Sequence, residues 1–541
     1  MKPMLLDCTL RDGAYIVDSQ FGEPVIRGLI QKLEEAGAEI IECGWLKNQP
    51  HEPGSSFYHV PADLERYLAE KKKHVTYTVM IDWDRYDLNY LPPRDGRSLD
   101  AVRVVFPHGK HREGVGVGEE IARKGYKVFF QAANTLAYSD DELRALAAEI
   151  NRARPVSLSI VDTFGAMYEE DLERIVNILD AELLPEIVLG FHSHNNQQLS
   201  FALSIHFLRL FRDRPRQVIV DASLCGMGRG AGNATTELVV SYLNRKCGCH
   251  YDMDAVMDAI DVYMESFQER YQWGYSTPYY IAGLYCCHVN NIAYLLNNHR
   301  TNARDMRNVI EAMDPADRPK YDYDLLERTY LRTVGRRVDD SAAAEALRRA
   351  FAGREVLLIA PGLRAVTERE MIGAYIRTHG PVMLGVNALV SDYAYDYLFF
   401  VNPARYEYAA STYPERFAAA RHILLSNIKT EPEEGELILA YEHAVKRGWR
   451  YFDNAMVCAL RLMDWLGLER VTIAGFDGFK TRYNESYGDP YLPTLNPDGN
   501  WDALNQEILE MVRDFRRNAR VCKELRFLTE SYFERGEEEG K

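Results

Sequence analysis

The first residues of this chain that could do chemistry stand at the end of an apolar run close to its beginning. In LLDCTLRDGAYIVDSQFG, Arg11 and Asp12 follow that run side by side. Burying either charge without a partner is costly, so the pair needs an opposite charge, a metal ion or a ligand. We therefore expect a functional site at this strand end, with a buried Arg–Asp ion pair as the structural alternative.

Two histidines with a spacing that suits metal binding lie further along the chain, in GFHSHNN. His192 and His194 are two residues apart, so on a strand their side chains point to the same side. Together with Asp12 they would form a two-histidine, one-carboxylate set with open positions for substrate or water. The alternative is a structural or incidental histidine pair.

A glycine-rich segment, DASLCGMGRGAGNATTELVV, follows the last strand-like run of the N-terminal half. Its glycines permit tight turns and a close approach of the backbone to a ligand. Asn233 stands where a helix is predicted to start, which makes it a candidate helix cap. It could equally turn its carbonyl oxygen towards the metal or the substrate, and both roles stay open at this point.

Eight short apolar runs alternate with helical patterns up to about residue 240 and would position these groups. They span 4–10, 39–45, 75–81, 101–107, 127–133, 156–162, 187–194 and 218–224. Eight such units favour a (β/α)8 TIM barrel over an open sheet. Barrel closure places strand one two strands from strand seven, and catalytic groups in such barrels sit at the C-terminal strand ends. We therefore assign residues 1–250 to a barrel domain.

Residues 251–345 are predicted to form a helical extension that covers the mouth of the barrel. The segment WGYSTPYYIAGLYCCHVNN is rich in groups that can donate or accept protons, namely Tyr275, Tyr279, Tyr280 and His288. The alternative to a catalytic role is that the aromatic residues belong to the core and that the histidine is an interior one. Among them, His288 is the candidate catalytic residue.

Residues 346–541 are predicted to form a second, Rossmann-like open α/β domain. Its strand-like runs span 356–362, 382–388, 397–403, 422–428 and 471–479, with Gly362 at a strand-to-helix turn and no glycine-rich dinucleotide fingerprint. The domain distantly resembles Rossmann-like domains of enzymes that assemble surface polysaccharides. That resemblance implies a nucleotide-linked substrate near Asn387, Asn402 and Asp477. A scaffold or an oligomerisation domain is the alternative.

Composition and charge narrow the classes of function that this protein could have. The 541 residues carry a formal net charge of -16 and no basic stripe, which argues against a nucleic-acid binder. No apolar stretch is long enough to span a membrane, and the N-terminus does not read as a signal peptide. The nine cysteines are scattered without a CxxC pair, which disfavours a zinc ribbon and a disulfide framework. We expect a cytoplasmic protein.

Three motifs, DCTLRDG, GFHSHNN and DASLCGMGRGAGN, together resemble the metal-dependent lyase and aldolase barrels related to HMG-CoA lyase. The sequence of the glycine-rich segment is most similar to that of the 4-hydroxy-2-oxovalerate aldolase branch. The resemblance implies a divalent metal (Mn²⁺, Mg²⁺ or Co²⁺) held by the residues matching Asp12, His192 and His194, sometimes with Asn233. It also implies that Arg11 stabilises an enolate. Such an ion acts as a Lewis acid, and a nearby guanidinium adds charge-assisted hydrogen bonds.

The sequence departs from this family at the position of the proton-transfer group. Tyr15 stands where the aldolases carry a histidine, and a phenol is a poor base at neutral pH unless its environment lowers its pKa. The proton could instead be moved by another group, by metal-bound water, or by Tyr15 in a tuned site. Gly230 occupies the cysteine position of the lyase branch, which argues against that chemistry. Three further residues near strand ends are predicted to line the substrate pocket, namely Glu42, Gln131 and Asp162.

The sequence therefore predicts a carbon–carbon lyase that cleaves or forms a 4-hydroxy-2-oxo acid through a pyruvate-type enolate. Its partners would be a small 2-oxo acid and an aldehyde, without nucleic acid or membrane, and we expect a homo-oligomer. One alternative is a Claisen-type synthase that joins an acyl-CoA to a 2-oxo acid. The other is a catalytically lapsed barrel that serves as a scaffold for a nucleotide-binding domain.

Overall fold

A computed structural model gives the architecture of the chain and describes residues 2–298, 302–428, 433–446, 448–449, 454–480, 485–493 and 501–534. The chain divides into two compact units, Met1–Val289 and Asn290–Lys541. Among the described residues, no helix is both long enough and apolar enough to cross a bilayer.

The first unit is built around nine parallel strands. They are β1 (Met4–Asp7), β2 (Ile40–Leu46), β3 (Phe57–Tyr58), β4 (Thr76–Asp82), β5 (Ala101–Phe106), β6 (Lys127–Ala132), β7 (Ser157–Asp162), β8 (Val188–Ser193) and β9 (Val218–Ala222). The strand order is β1-β9-β8-β7-β6-β5-β4-β2-β3, and β1 also pairs with β2. This pairing closes eight strands into a barrel, with the two-residue β3 outside it beside β2. The predicted barrel and its eight strands are confirmed.

Helices follow the strands around the barrel. They are α1 (Thr9–Asp12), α2 (Glu23–Ala36), α3 (Ala62–Glu65), α4 (His111–Arg123), α5 (Asp140–Ala153), α6 (Glu169–Glu182), α7 (Ser200–Leu210), α8 (Thr236–Lys246), α9 (Met253–Ala259), α10 (Glu265–Arg270) and α11 (Thr277–Leu284). Sequence signals fix several of their ends. Gly37 adopts a left-handed conformation after α2, and Ser139 forms a capping box with Glu142 at the start of α5.

Strand alternation separates the barrel interior into an apolar layer and a charged layer. The apolar layer contains Ile40, Ala101, Phe129 and Ile219, all buried in one cluster. Two residues further along the same strands stand Glu42, Arg103, Gln131 and Asp221. Because side chains two apart on a strand share a face, these polar residues also point into the barrel, nearer its C-terminal end. The fold therefore collects polar groups where barrel active sites lie.

The second unit contains an open sheet of seven strands, all parallel. They are β10 (Val356–Ile359), β11 (Val382–Val386), β12 (Tyr397–Phe400), β13 (Arg421–Leu425), β14 (Glu436–Leu439), β15 (Arg470–Ala474) and β16 (Glu524–Phe527), in the order β14-β13-β12-β11-β10-β15-β16. The five predicted runs are strands, while β14 and β16, at the two edges, were not predicted. The parallel α/β sheet is confirmed; its Rossmann-like identity stays a prediction.

The remaining helices lie between residue 289 and the last strand. They are α12 (Val289–Asn298), α13 (Ala303–Glu311), α14 (Tyr323–Val334), α15 (Ser341–Phe351), α16 (Arg364–Thr367), α17 (Arg369–His379), α18 (Pro403–Thr412), α19 (Pro414–Ala418), α20 (Ala455–Leu466) and α21 (Trp501–Asn518). Between residues 251 and 345 the described residues form helices and no strand, as the sequence indicated. The predicted cover over the barrel mouth stays a prediction.

Candidate active site

The turn from β1 into α1 brings the first two polar residues to the barrel end. Asp7, the last residue of β1, accepts hydrogen bonds from the Thr9 backbone (2.9 Å) and from the Thr236 hydroxyl (2.7 Å). These bonds hold the start of α1 against the start of α8. Arg11 and Asp12, at the end of this one-turn helix, are consequently buried.

Asp12, His192 and His194 form a cluster with the donor set of a metal site. One ligand atom from each residue lies within 4.8 Å of the others, and all three residues are buried or half-buried. His194 Nε2 is 3.5 Å from Asp12 Oδ2. A carboxylate oxygen and two imidazole nitrogens suit a divalent ion such as Mn²⁺, Co²⁺ or Zn²⁺, so the residues present fit the implied group.

The charges around Asp12 and His192 favour the protonation states that metal binding needs. Burial alone would raise the pKa of Asp12, but the neighbouring Arg11 and the two histidines outweigh it and hold the pKa well below its usual range. Burial also lowers the pKa of His192 to about 4. At neutral pH the carboxylate is therefore ionised and the imidazole is neutral, as ligands must be.

Arg11 is held by carboxylates on both sides. Its Nε donates to Glu42 Oε2 (2.8 Å) and its Nη1 donates to Asp12 Oδ1 (2.5 Å), while Nη2 lies 3.5 Å from His192 Nε2. The indole nitrogen of Trp45 donates to the Arg11 backbone oxygen (3.0 Å). The guanidinium is thus fixed in the barrel beside the three candidate ligands.

A second arginine completes the buried network, and the sequence analysis did not single it out. Arg103 Nη1 donates to Glu42 Oε2 (2.7 Å), and its Nη2 contacts the Asp221 carboxylate. His192 Nδ1 lies 3.1 Å from the same Asp221 carboxylate. Asp221 therefore sits behind His192 and leaves the Nε2 atom facing Arg11 and the candidate metal position.

The glycine-rich loop packs directly on Asp12. Asn233 Nδ2 donates to Asp12 Oδ2 (2.6 Å), while Asn233 Oδ1 is buried with no hydrogen-bond partner among the described residues. A Cβ atom on Gly228 would lie 2.3 Å from Asn233 Nδ2 and 2.6 Å from Asp12 Oδ2. Only glycine fits at that position. The residue at the N-cap of α8 is Thr235, so the helix-cap interpretation of Asn233 is wrong, and its role as a fourth ligand stays a prediction.

Tyr15, Arg229 and His288 form a group beside the candidate ligands. The Arg229 guanidinium lies 4.9 Å from the centre of the Tyr15 ring, and its Nη2 is 3.2 Å from His288 Nε2. A small space beside His194 is lined by both Arg229 and His288. The structure therefore brings His288, a candidate from the sequence, to the same end of the barrel as His194.

The pKa values of this group distinguish its two titratable members. Although the Tyr15 residue is 44% exposed, loss of solvation raises the pKa of its phenol to about 12, against a smaller opposing effect of Arg229. Tyr15 thus stays protonated at neutral pH and can donate a hydrogen bond. Burial, reinforced by the Arg229 charge, lowers the pKa of His288 to about 3, so its imidazole is neutral.

The three predicted pocket-lining residues have different surroundings. Glu42 binds the two buried arginines, as described above. The Gln131 side chain donates to Ser159 Oγ (2.9 Å). Asp162 accepts from the backbone of Ala166 (2.8 Å) and of Met167 (3.2 Å), so it folds the loop after β7. Direct substrate binding by any of them stays a prediction.

The other aromatic candidates of the WGYSTPYY segment differ in their exposure to solvent. Tyr275 is 62% exposed and Tyr280 is 39% exposed, whereas burial raises the pKa of Tyr279. The residues missed by the sequence analysis were Arg103, Asp221 and Arg229. A charged residue in the middle of the apolar run AVRVVF was the available signal for Arg103.

Comparison with known proteins places the barrel among enzymes. Residues 115–262 match the HMGL-like family model. Oxaloacetate decarboxylase of Mycobacterium tuberculosis is 29% identical over 48% of this chain and 75% of its own length. 4-Hydroxy-2-oxovalerate aldolase of Thermomicrobium roseum is 28% identical over 48% of this chain and 72% of its own length. The HMG-CoA lyase structure from Bacillus subtilis covers 50% of this chain and 95% of its own, with 15% identity and a TM-score of 0.39.

The family-model match covers the part of the barrel that carries GFHSHNN and DASLCGMGRGAGN. These matches confirm the resemblance stated from DCTLRDG, GFHSHNN and DASLCGMGRGAGN, and with it the predicted enzyme class, a carbon–carbon lyase. The barrel is thus similar to the HMGL-like family over residues 115–262.

Proposed function

We propose that the barrel is a divalent-metal-dependent aldolase that cleaves or forms a 4-hydroxy-2-oxo acid through a pyruvate-type enolate. The observation that carries the proposal is the meeting of Asp12, His192 and His194 beside the fixed guanidinium of Arg11. When bound there, the metal would supply Lewis acidity to the keto group of the 2-oxo acid. Both relatives cited above are named for a 2-oxo acid, which supports this substrate class.

Arg11 is the residue we assign to the developing negative charge. Its Nε atom is occupied by Glu42, which orients the guanidinium, and its two Nη atoms face the candidate ligands. A preorganised donor in a water-poor site contributes on the order of 3–4 kcal/mol to the stabilisation of an oxyanion. Arg11 would therefore hold the enolate oxygen.

His288 is the residue we assign to proton transfer. Its imidazole is unprotonated at neutral pH and shares a small space with His194 and Arg229. Because a pKa of about 3 makes it a weak base, it would accept a proton only where a bound carboxylate offsets the Arg229 charge. Tyr15 keeps its proton and would donate a hydrogen bond rather than accept a proton. Arg229, between the two, would bind a carboxylate or a hydroxyl group of the second substrate.

Decarboxylation of a 2-oxo diacid is a second candidate, because it forms the same enolate. The match to an oxaloacetate decarboxylase favours it. In that reaction the bond to the departing CO₂ breaks and its electron pair enters the enolate, which is then protonated. Arg11 would have the same role, whereas no aldehyde would be needed.

Proton exchange at the methyl group of pyruvate tests the enolate directly. The metal-loaded protein is incubated with pyruvate in D₂O, and the methyl signal is followed by NMR. We expect exchange that is lost in an EDTA-treated sample and in His192→Ala, but kept in His206→Ala, a matched variant on α7. Oxaloacetate consumption above the rate with metal alone would then identify a decarboxylase.

The aldolase proposal fails on one combined result. If pyruvate and 2-oxobutyrate both show no exchange, and the protein binds no divalent metal, the barrel does not make an enolate. The scaffold alternative would then account for the retained fold.

A further inference from the structure

The second unit contains a cavity at the point where the order of its sheet reverses. β10 lies between β11 and β15, so the chain winds away from β10 in both directions. In open parallel sheets ligands bind in the crevice outside the carboxyl ends of the strands at such a point. A cavity of about 930 Å³, including its solvent-open part, lies there and is lined by residues that follow β10, β11, β12 and β15.

Two glycines bring the ends of β10 and β15 close together. Gly362 N donates to Gly475 O (2.9 Å). A Cβ atom on Gly362 would lie 2.3 Å from that oxygen and 2.7 Å from Asp477 Oδ2, and Gly475 has a φ of +69°. These positions leave no room for a side chain between the strands, so the floor of the cavity is backbone.

Asp477 presents an unused acceptor at this floor. Its Oδ2 accepts from the Arg364 backbone (2.8 Å). Its Oδ1 is buried and has no hydrogen-bond partner in the part of the chain that the structure describes. A buried acceptor of this kind is costly unless a ligand or water donates to it. A hydroxyl or amino group of a ligand would supply that donor.

The lining of the same cavity includes a cation at the start of a helix. Arg405 stands in the first turn of α18 and lines the cavity, and only 6% of its surface is exposed. Its guanidinium lies 5.0 Å from the centre of the Tyr487 ring, within the range of a cation–π interaction. Asn402 caps the same helix by accepting from the Arg405 backbone (2.9 Å). A planar guanidinium beside a helix N-terminus suits a phosphate group.

Aromatic side chains form the rest of the wall. Phe476, Phe479, Tyr487 and Phe533 all line the cavity. Phe479 is also stacked on Trp501, with ring centres 5.7 Å apart and an angle of 11°. Rings that are already packed lose little freedom when a planar group lies against them.

We propose that this cavity binds a nucleotide, with the phosphate at Arg405, a ribose hydroxyl at Asp477 and the base against the aromatic wall. Three kinds of lining group favour a nucleotide over simpler ligands. A phosphate alone would not use the rings, and an apolar ligand would leave the buried Oδ1 atom of Asp477 without a donor. The inference concerns the second unit and does not depend on the proposed reaction of the barrel.

Calorimetric titration of the EDTA-treated full chain with ADP and UDP tests the proposal, with adenosine, uridine and inorganic phosphate as comparison probes. We expect at least one diphosphate to bind at least tenfold more tightly than its nucleoside and than phosphate. Ala404→Trp, which fills the cavity from an exposed position of α18, should abolish binding. Arg405→Gln should weaken it at least tenfold, and the exposed Arg377→Gln should leave it unchanged.

Three results would overturn the assignment. Neither diphosphate binds, or binding persists in Ala404→Trp, or inorganic phosphate binds as tightly as both diphosphates. Arg405 is buried, so its variant could fail to fold. Ala404 is exposed, so Ala404→Trp still tests nucleotide binding in that case. His192→Ala should bind the diphosphate normally, which separates this result from failure of the barrel proposal.

Discussion

The two candidate sites of this chain lie at the same place in their sheets but hold their polar groups in different ways. In the barrel, opposite charges pair directly: Arg11 and Arg103 share Glu42 Oε2, and Arg103 also contacts Asp221. Glu42 Oε1 and Asp221 Oδ1 have no hydrogen-bond partner among the described residues. In the second unit, the Asp477 carboxylate accepts from a backbone N–H and keeps one oxygen without a described partner, and Arg405 lies near the Tyr487 ring. Both sites follow from parallel strands that end at one edge.

The difference follows from the shape of the two sheets. A closed barrel directs the side chains of several strands into one narrow interior, where charges must pair because desolvation is expensive. An open sheet has a crevice that can hold water or a ligand, so its polar groups can stay partly unmatched. We therefore expect substitutions in the barrel network to affect folding and chemistry together, and substitutions in the crevice to affect binding.

The largest effect is expected from Arg103→Met. This change leaves the Glu42 and Asp221 carboxylates without one shared partner in the barrel interior, and breaking a buried ion pair costs about 3–5 kcal/mol. Hydrogen exchange of peptides from β4 to β6 should show that loss of protection. The protection of peptides from β11 should not change. Arg123→Met, which replaces an exposed arginine on α4, should leave the protection of the barrel peptides unchanged. Equal destabilisation by both variants would contradict the network.

Arg11→Lys should lower metal-dependent exchange of pyruvate protons about 10²–10³-fold. Lysine keeps the charge but lacks the planar fork that meets Glu42 and Asp12 at once. NMR in D₂O measures the rate, and Arg144→Lys on the surface of α5 serves as the control. Nucleotide binding by the second unit should not change. An unaltered exchange rate would remove Arg11 from the proposed oxyanion site.

Asp221→Asn should weaken divalent-metal binding about 10–100-fold, because the carboxylate behind His192 orients the ring and increases its basicity. Calorimetry with Mn²⁺ or Co²⁺ measures the affinity without any assumption about the reaction. The exposed Asp213→Asn is the matched control. If the Asp221 variant binds the metal as tightly as the unchanged chain, Asp221 has only a structural role.

The same contrast explains what the sequence could predict. The eight barrel strands and the Asp12–His192–His194 group were predictable because alternation and short motifs are local signals. The partners of Arg103 were not, because only barrel closure brings β5 beside the ends of β2 and β9. In the second unit, β14 and β16 were missed as four-residue edge strands. Arg405 and Tyr487 are far apart in sequence, and no local pattern joins them.

The smallest effect concerns the pH dependence of the second unit. Burial raises the pKa of Asp477 from 3.8 to about 6. The folded unit therefore keeps a proton that the unfolded chain releases between these values, so its stability falls as the pH rises through this window. Asp477→Asn should remove that slope. Across the window, the slope amounts to a change in the free energy of unfolding on the order of 1 kcal/mol, because partial solvent exposure weakens the effect.

Urea titrations at pH 4.5, 5.5 and 7, read by brief exchange pulses on β15 peptides, measure this slope. The exposed Asp392→Asn should retain it, because that side chain is 87% exposed. Bound nucleotide gives the decisive comparison. If a ribose hydroxyl donates to Asp477, the ionised carboxylate is favoured, so saturating ADP or UDP should reduce the slope in the unchanged chain and have no such effect in the Asn variant. A slope that the nucleotide leaves untouched would place the ligand away from Asp477.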